Sequence, residues 1–446
     1  MAWVFGAGLF GVSFLFSCAS LIGIVDVSPE ADGGSVGSGD GGSRHDATVT
    51  MDGGHRLDAT SPTDAGRKDA GFDAGPATTL ILAAIAKGDG GASTALLGTQ
   101  YAQASGWGQL VALGTDVSLT GGGGVTMLSP GRGVGVFLNQ SQEFESAIWA
   151  GTWSSVNVQD QQGMLPPLES LAAPAPLGGG AVTGDIATRF NVFTPATLAA
   201  DASTWDVRPP PPFPDGSTAG NALIGNLVPV VASTASGVVA LSTRNFGSFG
   251  YYWATVGTTV SGPTPINGVP LGEGRPGGLA AVGAVHGPVV AVFNGVSQMG
   301  QEEGDLIGET FDGVTWTSPS LVATEGMKQP TPYTLSMAAL PDGRVALVYS
   351  TSSGGLMFGF WSNGSGWGTF NSVSSPAAQN FAIAAGVGDA ELELVLATSD
   401  GQLEHCRLMP NDAGDLHWTS PVLIPAPGFY ESVFVAEGPS APPPPK

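Results

Sequence analysis

The chain has 446 residues, 11% of them charged, with 69 glycines, 34 prolines and a formal net charge of −23. From Ala77 onward 27 acidic residues stand against 10 basic ones, a balance of −17, so the acidity belongs mostly to the part able to fold. Holding a phosphate backbone needs clustered lysine and arginine, which excludes nucleic acid as a partner; cationic or neutral partners fit, and acidity also serves solubility.

Residues 2–25 carry no charge and read as an export or membrane signal rather than part of a fold. Within that run, Leu15-Phe16-Ser17-Cys18 resembles the lipobox of bacterial lipoproteins. The resemblance implies that Cys18 is lipidated and that the chain is held at a bacterial outer membrane or cell surface. An uncleaved anchor helix and an ordinary cleaved signal are the alternatives, the run being long enough to span a bilayer. The first segment is therefore drawn as 1–27.

Residues 28–76 are rich in Asp, Gly, Ala, Ser and Thr, with aspartates at 46, 52, 58 and 64 in a strict six-residue step. So little apolar surface leaves nothing to bury, and the segment is expected to be a disordered stalk. Its Asp-Gly units lack the spacing and the closing glutamate of a calcium loop.

From residue 77 to 438 one phrase recurs, a tryptophan after a turn that opens a short strand. It occurs at Trp107, Trp153, Trp205, Trp316, Trp367 and Trp418, and Val260 fills the slot between the third and fourth of these. The steps are 46, 52, 55, 56, 51 and 51 residues, a period that means one supersecondary unit used seven times. The sixth copy supplies the template: strands at 335–340, 345–350 and 356–361 and a fourth at 367–373, with turn residues between them. Second strands recur at 134–137, 238–241, 289–293 and 392–396, apolar on both faces as strands sandwiched between neighbours must be. The third copy, 169–209, is the least regular, and the glycine run 121–124 reads as a linker between units. The first copy has no room for an inner strand, whereas 429–436 is left over after the seventh; the C-terminal segment is expected to pair with 80–86 and close the ring. The prediction is an all-β, seven-bladed β-propeller, monomeric, followed by a proline-rich tail at 439–446.

The phrase resembles that of sialidase-type and lectin-type propellers, whose repeat reads Ser-x-Asp-x-Gly-x-Thr-Trp. Thr310-Phe311-Asp312-Gly313-Val314-Thr315-Trp316 is one residue short of it, and Asp412-Ala413-Gly414-Asp415-Leu416-His417-Trp418 one residue long. In such folds this turn is structural, so the resemblance implies an architecture. A sialidase-like hydrolase, the alternative function, would need an arginine cluster. The seven arginines of the folded region are scattered, with Arg189 and Arg244 alone in matching places at the ends of second strands. The expected function is a non-catalytic binding or display module for a glycan or protein. Its weak ligand candidates are Arg189, Arg244, Trp149, Trp253 and Trp361, although third-strand aromatics more often pack between units. No residue is assigned to catalysis, a metal or a cofactor. Cys406 reads as a small apolar strand residue, and the acidic patch Glu302, Glu303, Asp305, Glu309 and Asp312 as a solvated hairpin loop.

Overall fold

In a computed structural model the described residues are 78–439, apart from 88–93, 120–121, 160–167, 178–179, 188–192, 208–229, 235–236, 246–248, 257–263, 267–277, 297–303, 327–334, 352, 376 and 426–427. Residues 1–77 and 440–446, with the expected signal, stalk and tail, lie outside that set. Among the described residues there is no helix, and the strands form seven antiparallel sheets.

Each sheet runs from an inner strand outward. Sheet 1 orders Phe429–Pro439, Thr78–Lys87 and Thr94–Ala102, with Gly106–Trp107 and Val111–Thr115 outermost. Sheet 2 is Gly123–Ser129, Arg132–Leu138, Phe144–Trp149 and Asn157–Val158. Sheet 3 is Ala175–Leu177 (with Leu168–Leu171), Gly180–Ala187, Phe193–Leu198 and Asp206–Val207. Sheet 4 is Val230–Thr234, Gly237–Asn245, Phe249–Val256 and Thr264–Pro265; sheet 5 is Leu279–Gly283, Val289–Val296, Gly304–Phe311 and Ser320–Gly326. Sheet 6 is Leu335–Ala339, Val345–Ser350 and Leu356–Ser362, then Gly366–Trp367 and Asn371–Val373. Sheet 7 is Ala378–Ala385, Leu392–Thr398 and Leu403–Pro410, then Leu416–Trp418 and Val422–Leu423. Each inner strand neighbours the inner strand of the next sheet, and that of sheet 7 neighbours that of sheet 1, so the architecture is a β-propeller. The ends of the chain close the ring: Phe429–Pro439 pairs antiparallel with Thr78–Lys87, Leu80 facing Glu437 and Lys87 facing Phe429. Without that pairing two strand edges would lie open.

The recurring tryptophan has one structural job. In six sheets it lies on the third strand of the preceding sheet. Trp153 covers Gly98, where an added Cβ would stand 2.7 Å from the indole, and Trp367 covers Gly308, where it would stand 2.9 Å away. Trp205 packs on Phe144 at 5.5 Å, Trp316 on Trp253 at 6.4 Å, Trp418 on Phe358 at 5.4 Å and Trp107 on His405 at 5.1 Å between ring centroids. In those six seams one indole per unit fills the gap between sheets, with area and rigidity no aliphatic side chain matches. The outermost pairing then resumes four residues on, at Val111, Asn157, Ser320, Asn371 and Val422. Val260 itself lies outside the described residues, but Thr264 opens its outer strand at the same offset. Trp153 and Trp205 are buried; Trp316, Trp367 and Trp418 are only half-buried. The turn before Trp316 is held by Asp312, whose Oδ1 accepts from the Val314 and Thr315 amides at 2.8 Å each. Before Trp418 the same part falls to Asn411, which accepts from Ala413 and Asp415.

Two expectations are corrected. The glycine run is not all linker: Gly123 and Gly124 begin the inner strand of sheet 2, and Gly121 lies outside the described residues. A Cβ on Gly124 would meet that of Ala173 at 2.7 Å, and one on Gly123 (φ 113°) the Val136 carbonyl oxygen at 2.3 Å. Glycine is used there so that backbones can approach near the axis. Nor is the acidic patch one solvated hairpin: Asp312 lies in an exposed turn, but Asp305 and Glu309 lie in the third strand of sheet 5 and Glu309 is 2% exposed. Glu302 and Glu303 lie outside the described residues.

Candidate functional site

The seam between sheets 7 and 1 differs from the other five seams with a described tryptophan in what meets the indole. Where sheets 1 and 5 offer glycine and sheets 2, 4 and 6 an aromatic ring, sheet 7 offers His405. The indole Nε1–H of Trp107 donates to His405 Nδ1 at 3.2 Å, which leaves the Nε2–H to donate to Glu393 Oε2 at 2.7 Å. Glu393 is 0% exposed, and its other oxygen accepts from the Val387 amide at 2.8 Å and from Arg407 Nε at 3.3 Å. Arg407 Nη2 donates to the Val387 carbonyl at 2.5 Å and to Asp389 at 3.3 Å, and its guanidinium stands 5.9 Å from the Tyr101 ring. Gln103, on sheet 1, reaches across to Asp389 at 2.9 Å.

Strand alternation explains the gathering. His405 and Arg407 stand two apart on the third strand of sheet 7 and Glu393 faces Arg407 on the second, so one face of the sheet carries all three. Burial draws the Arg407 guanidinium down, but the charge of Glu393 and then Tyr101 and Asp389 hold it above its ordinary range. Burial pushes the Tyr101 hydroxyl up, Arg407 opposing. The network thus grades from a sealed Glu393 to an Asp389 side chain that is 60% exposed. At its rim, planar donors and acceptors lie beside aromatic faces, the combination that suits a polyhydroxylated ring.

A second feature is the axial cavity, about 490 Å³, walled by the inner strands of all seven sheets. Its walls are mostly alanine, valine, glycine and other apolar residues, with Thr126, Ser233 and Ser336, and among the described residues Glu437 is the one ionisable side chain in them. Burial, and then the negative Glu393, push the Glu437 carboxyl up to about 7. No arginine lines this cavity among the described residues, so the convergent arginines and carboxylates that would favour the hydrolase are not found there.

The sequence candidates fall elsewhere. Trp149 is buried between sheets 1 and 2 and donates to Gln100 at 2.9 Å; Trp361 is buried between sheets 5 and 6. Trp253 is half-buried against Phe311 and Trp316. Arg244 faces Gly250 in the strand register of sheet 4, and Arg189 and Cys18 lie outside the described residues. None of those described belongs to the sheet 7/1 network. Sequence reasoning missed Tyr101, Glu393 and Arg407 as a group; the available signal was Glu393, a charge inside an otherwise apolar second strand. Cys406, on the opposite face of the same strand, is buried among apolar residues of sheets 6 and 7, free, its thiol pushed up to about 12 by burial, in keeping with a packing role.

No protein-family model and no curated protein matches the chain. Among solved structures it resembles AofleA from Arthrobotrys oligospora at 10% identity and TM-score 0.48, over 73% of this chain and 91% of that one. It also resembles the fucose-specific lectin from Aleuria aurantia at 11% identity and TM-score 0.46, over 70% and 98%. A second structure of the Aleuria aurantia lectin, described as a six-bladed β-propeller, matches at 9% identity and TM-score 0.46, over 70% of this chain and 97% of that one. At such identity and superposition, sheet number and site are read from this chain's own strands.

Proposed function

We propose that the chain is a binding module of seven blades, one per sheet, taking a glycan at the rim between sheets 7 and 1. The observation that carries the reading is Arg407, held between Asp389 and the Tyr101 ring with Gln103 opposite. A sugar hydroxyl pair can exchange hydrogen bonds with the exposed Asp389 carboxylate and the Gln103 amide while its apolar face lies against the aromatic side. The site binds rather than cleaves in this reading, the inner members of the network serving to fix Arg407. Segments 1–27 and 28–76 are read as an anchor lipidated at Cys18 and a stalk that holds the propeller, residues 77–438, away from a bacterial membrane.

A glycan array probed with the protein, fucosides included because similar folds are named for fucose, tests the ligand class. Gln103→Ala and Asp389→Ala should reduce the bound signal about tenfold or more while the melting temperature holds. Wild-type protein that binds no glycan, or variants that bind as well as it does, would remove the reading. Metabolic labelling with a fatty acid tests the anchor, since Cys18→Ser should abolish incorporation. Absence of label on the wild type would return the segment to a plain signal or an anchor helix.

A further inference from the structure

The axial cavity has a chemistry of its own, separate from the rim. Its volume, about 490 Å³, is that of a small-molecule site. Small side chains such as Ala281, Ala339 and Ala382 leave the space open, and the walls are mainly apolar, with the hydroxyls of Thr126, Ser233 and Ser336 among them. Against them stands the half-buried Glu437 carboxyl, for which no hydrogen bond to the described residues is found.

The strands packed on Glu437 do not neutralise it. The adjoining strand Thr78–Lys87 carries one ionisable residue, Lys87, committed to Glu431 at 2.8 Å at the opposite end of the pairing. The inner strands Gly123–Ser129 and Ala378–Ala385 carry none, and Leu392–Thr398 carries Glu393, already tied to His405 and Arg407. A carboxylate facing an apolar space is costly unless a cation meets it, and the nearest further charge is also negative. The acidity of the chain, −23 overall, raises the local concentration of cations and opposes anions.

We propose that the axial cavity binds an amphiphilic amine, its alkyl or aryl body against the inner strands and its ammonium on Glu437. A neutral amphiphile would gain the same apolar contact without the ion pair, and a carboxylate-headed one would meet repulsion from Glu437 and Glu393. Because the Glu437 carboxyl ionises at about 7, its charged fraction rises roughly tenfold between pH 6 and pH 8, while an alkylamine stays protonated throughout.

Calorimetric titration of the full chain with n-octylamine, n-octanol and octanoate at pH 6 and pH 8 decides the matter. Octylamine should bind about tenfold more tightly at pH 8 than at pH 6, ahead of octanol, with octanoate weakest. Glu437→Gln should erase the pH gain and the preference for the amine. Ala339→Leu, which fills the cavity without touching the carboxyl, should weaken amine and alcohol together. If Glu437→Gln does not fold, the wild-type comparison of amine with alcohol at the two pH values still decides. Equal binding of amine and alcohol at both pH values, amine binding untouched by either variant, or no binding at all would each overturn the proposal.

Discussion

Two buried glutamates, one on each side of the ring, are treated in opposite ways. Glu393, at the seam of sheets 7 and 1, is 0% exposed and meets His405, Arg407 and the Val387 amide. Glu309, on the same strand face as Phe311 in the seam of sheets 5 and 4, is 2% exposed, and neither carboxyl oxygen finds a hydrogen bond. Burial alone pushes Glu309 up to about 7. Both strands carry apolar neighbours, so burial is common to the two residues and the partners are the difference. Burying a carboxyl in one case builds a network across a seam and in the other leaves a neutral group that costs stability when it ionises.

Removing one side of the 7/1 seam altogether should have the largest effect. A chain ending at Gly428 lacks the inner strand of sheet 1 and with it the pairing from Lys87 to Thr78. It should show no cooperative thermal transition by circular dichroism; a melt like that of the full chain would mean that the ring does not depend on this closure. Breaking the network from within comes next. Glu393→Ala leaves Arg407 and His405 without their shared acceptor and should cost about 3–5 kcal/mol in urea unfolding. Trp153→Ala, at an apolar seam with an indole that also donates to the Thr99 carbonyl at 3.1 Å, should cost a similar amount, about 3–5 kcal/mol. Trp367→Ala, half-buried, should cost less.

Glu309→Gln sharpens the contrast by reversing the sign. The native carboxyl holds its proton from the usual 4.5 up to about 7, so its stabilising protonated form is fully present below pH 4.5 and lost as pH rises through 7. The glutamine variant should match wild type near pH 4.5 and exceed it by up to about 3 kcal/mol at pH 8. A constant difference across that range would show that Glu309 is not the group responsible. At the exposed end of the 7/1 network Asp389→Ala should move stability by no more than about 0.5 kcal/mol, so any loss of glycan binding there reflects contact rather than unfolding.

How far each region was legible follows from the range of the forces involved. Sheet strands and their order came from period-two and all-apolar runs, and the inner closing strand from a leftover segment with no other partner. The tryptophan slots were readable because every unit must fill the same gap against its predecessor, so the same side chain returns at the same phase. What each indole meets was not readable: Gly98, Phe144 and His405 lie on third strands about fifty or more residues away, or at the other end of the chain. For the same reason Glu309 read as one of a loop cluster, and Gly123 as a linker. A local charge run says nothing of the neighbouring sheet that buries it, nor a glycine run of the backbone that must pass close by.

By itself, then, the sequence determined a repeating all-β unit, its phase and the strand that closes the ring, because those are written in local hydrophobic pattern and period. Tertiary structure alone decided which polar groups came together in one network. Tyr101 and Trp107 belong to the first unit and Glu393, His405 and Arg407 to the last, and they touch only because closure of the ring brings the two ends of the folded region together.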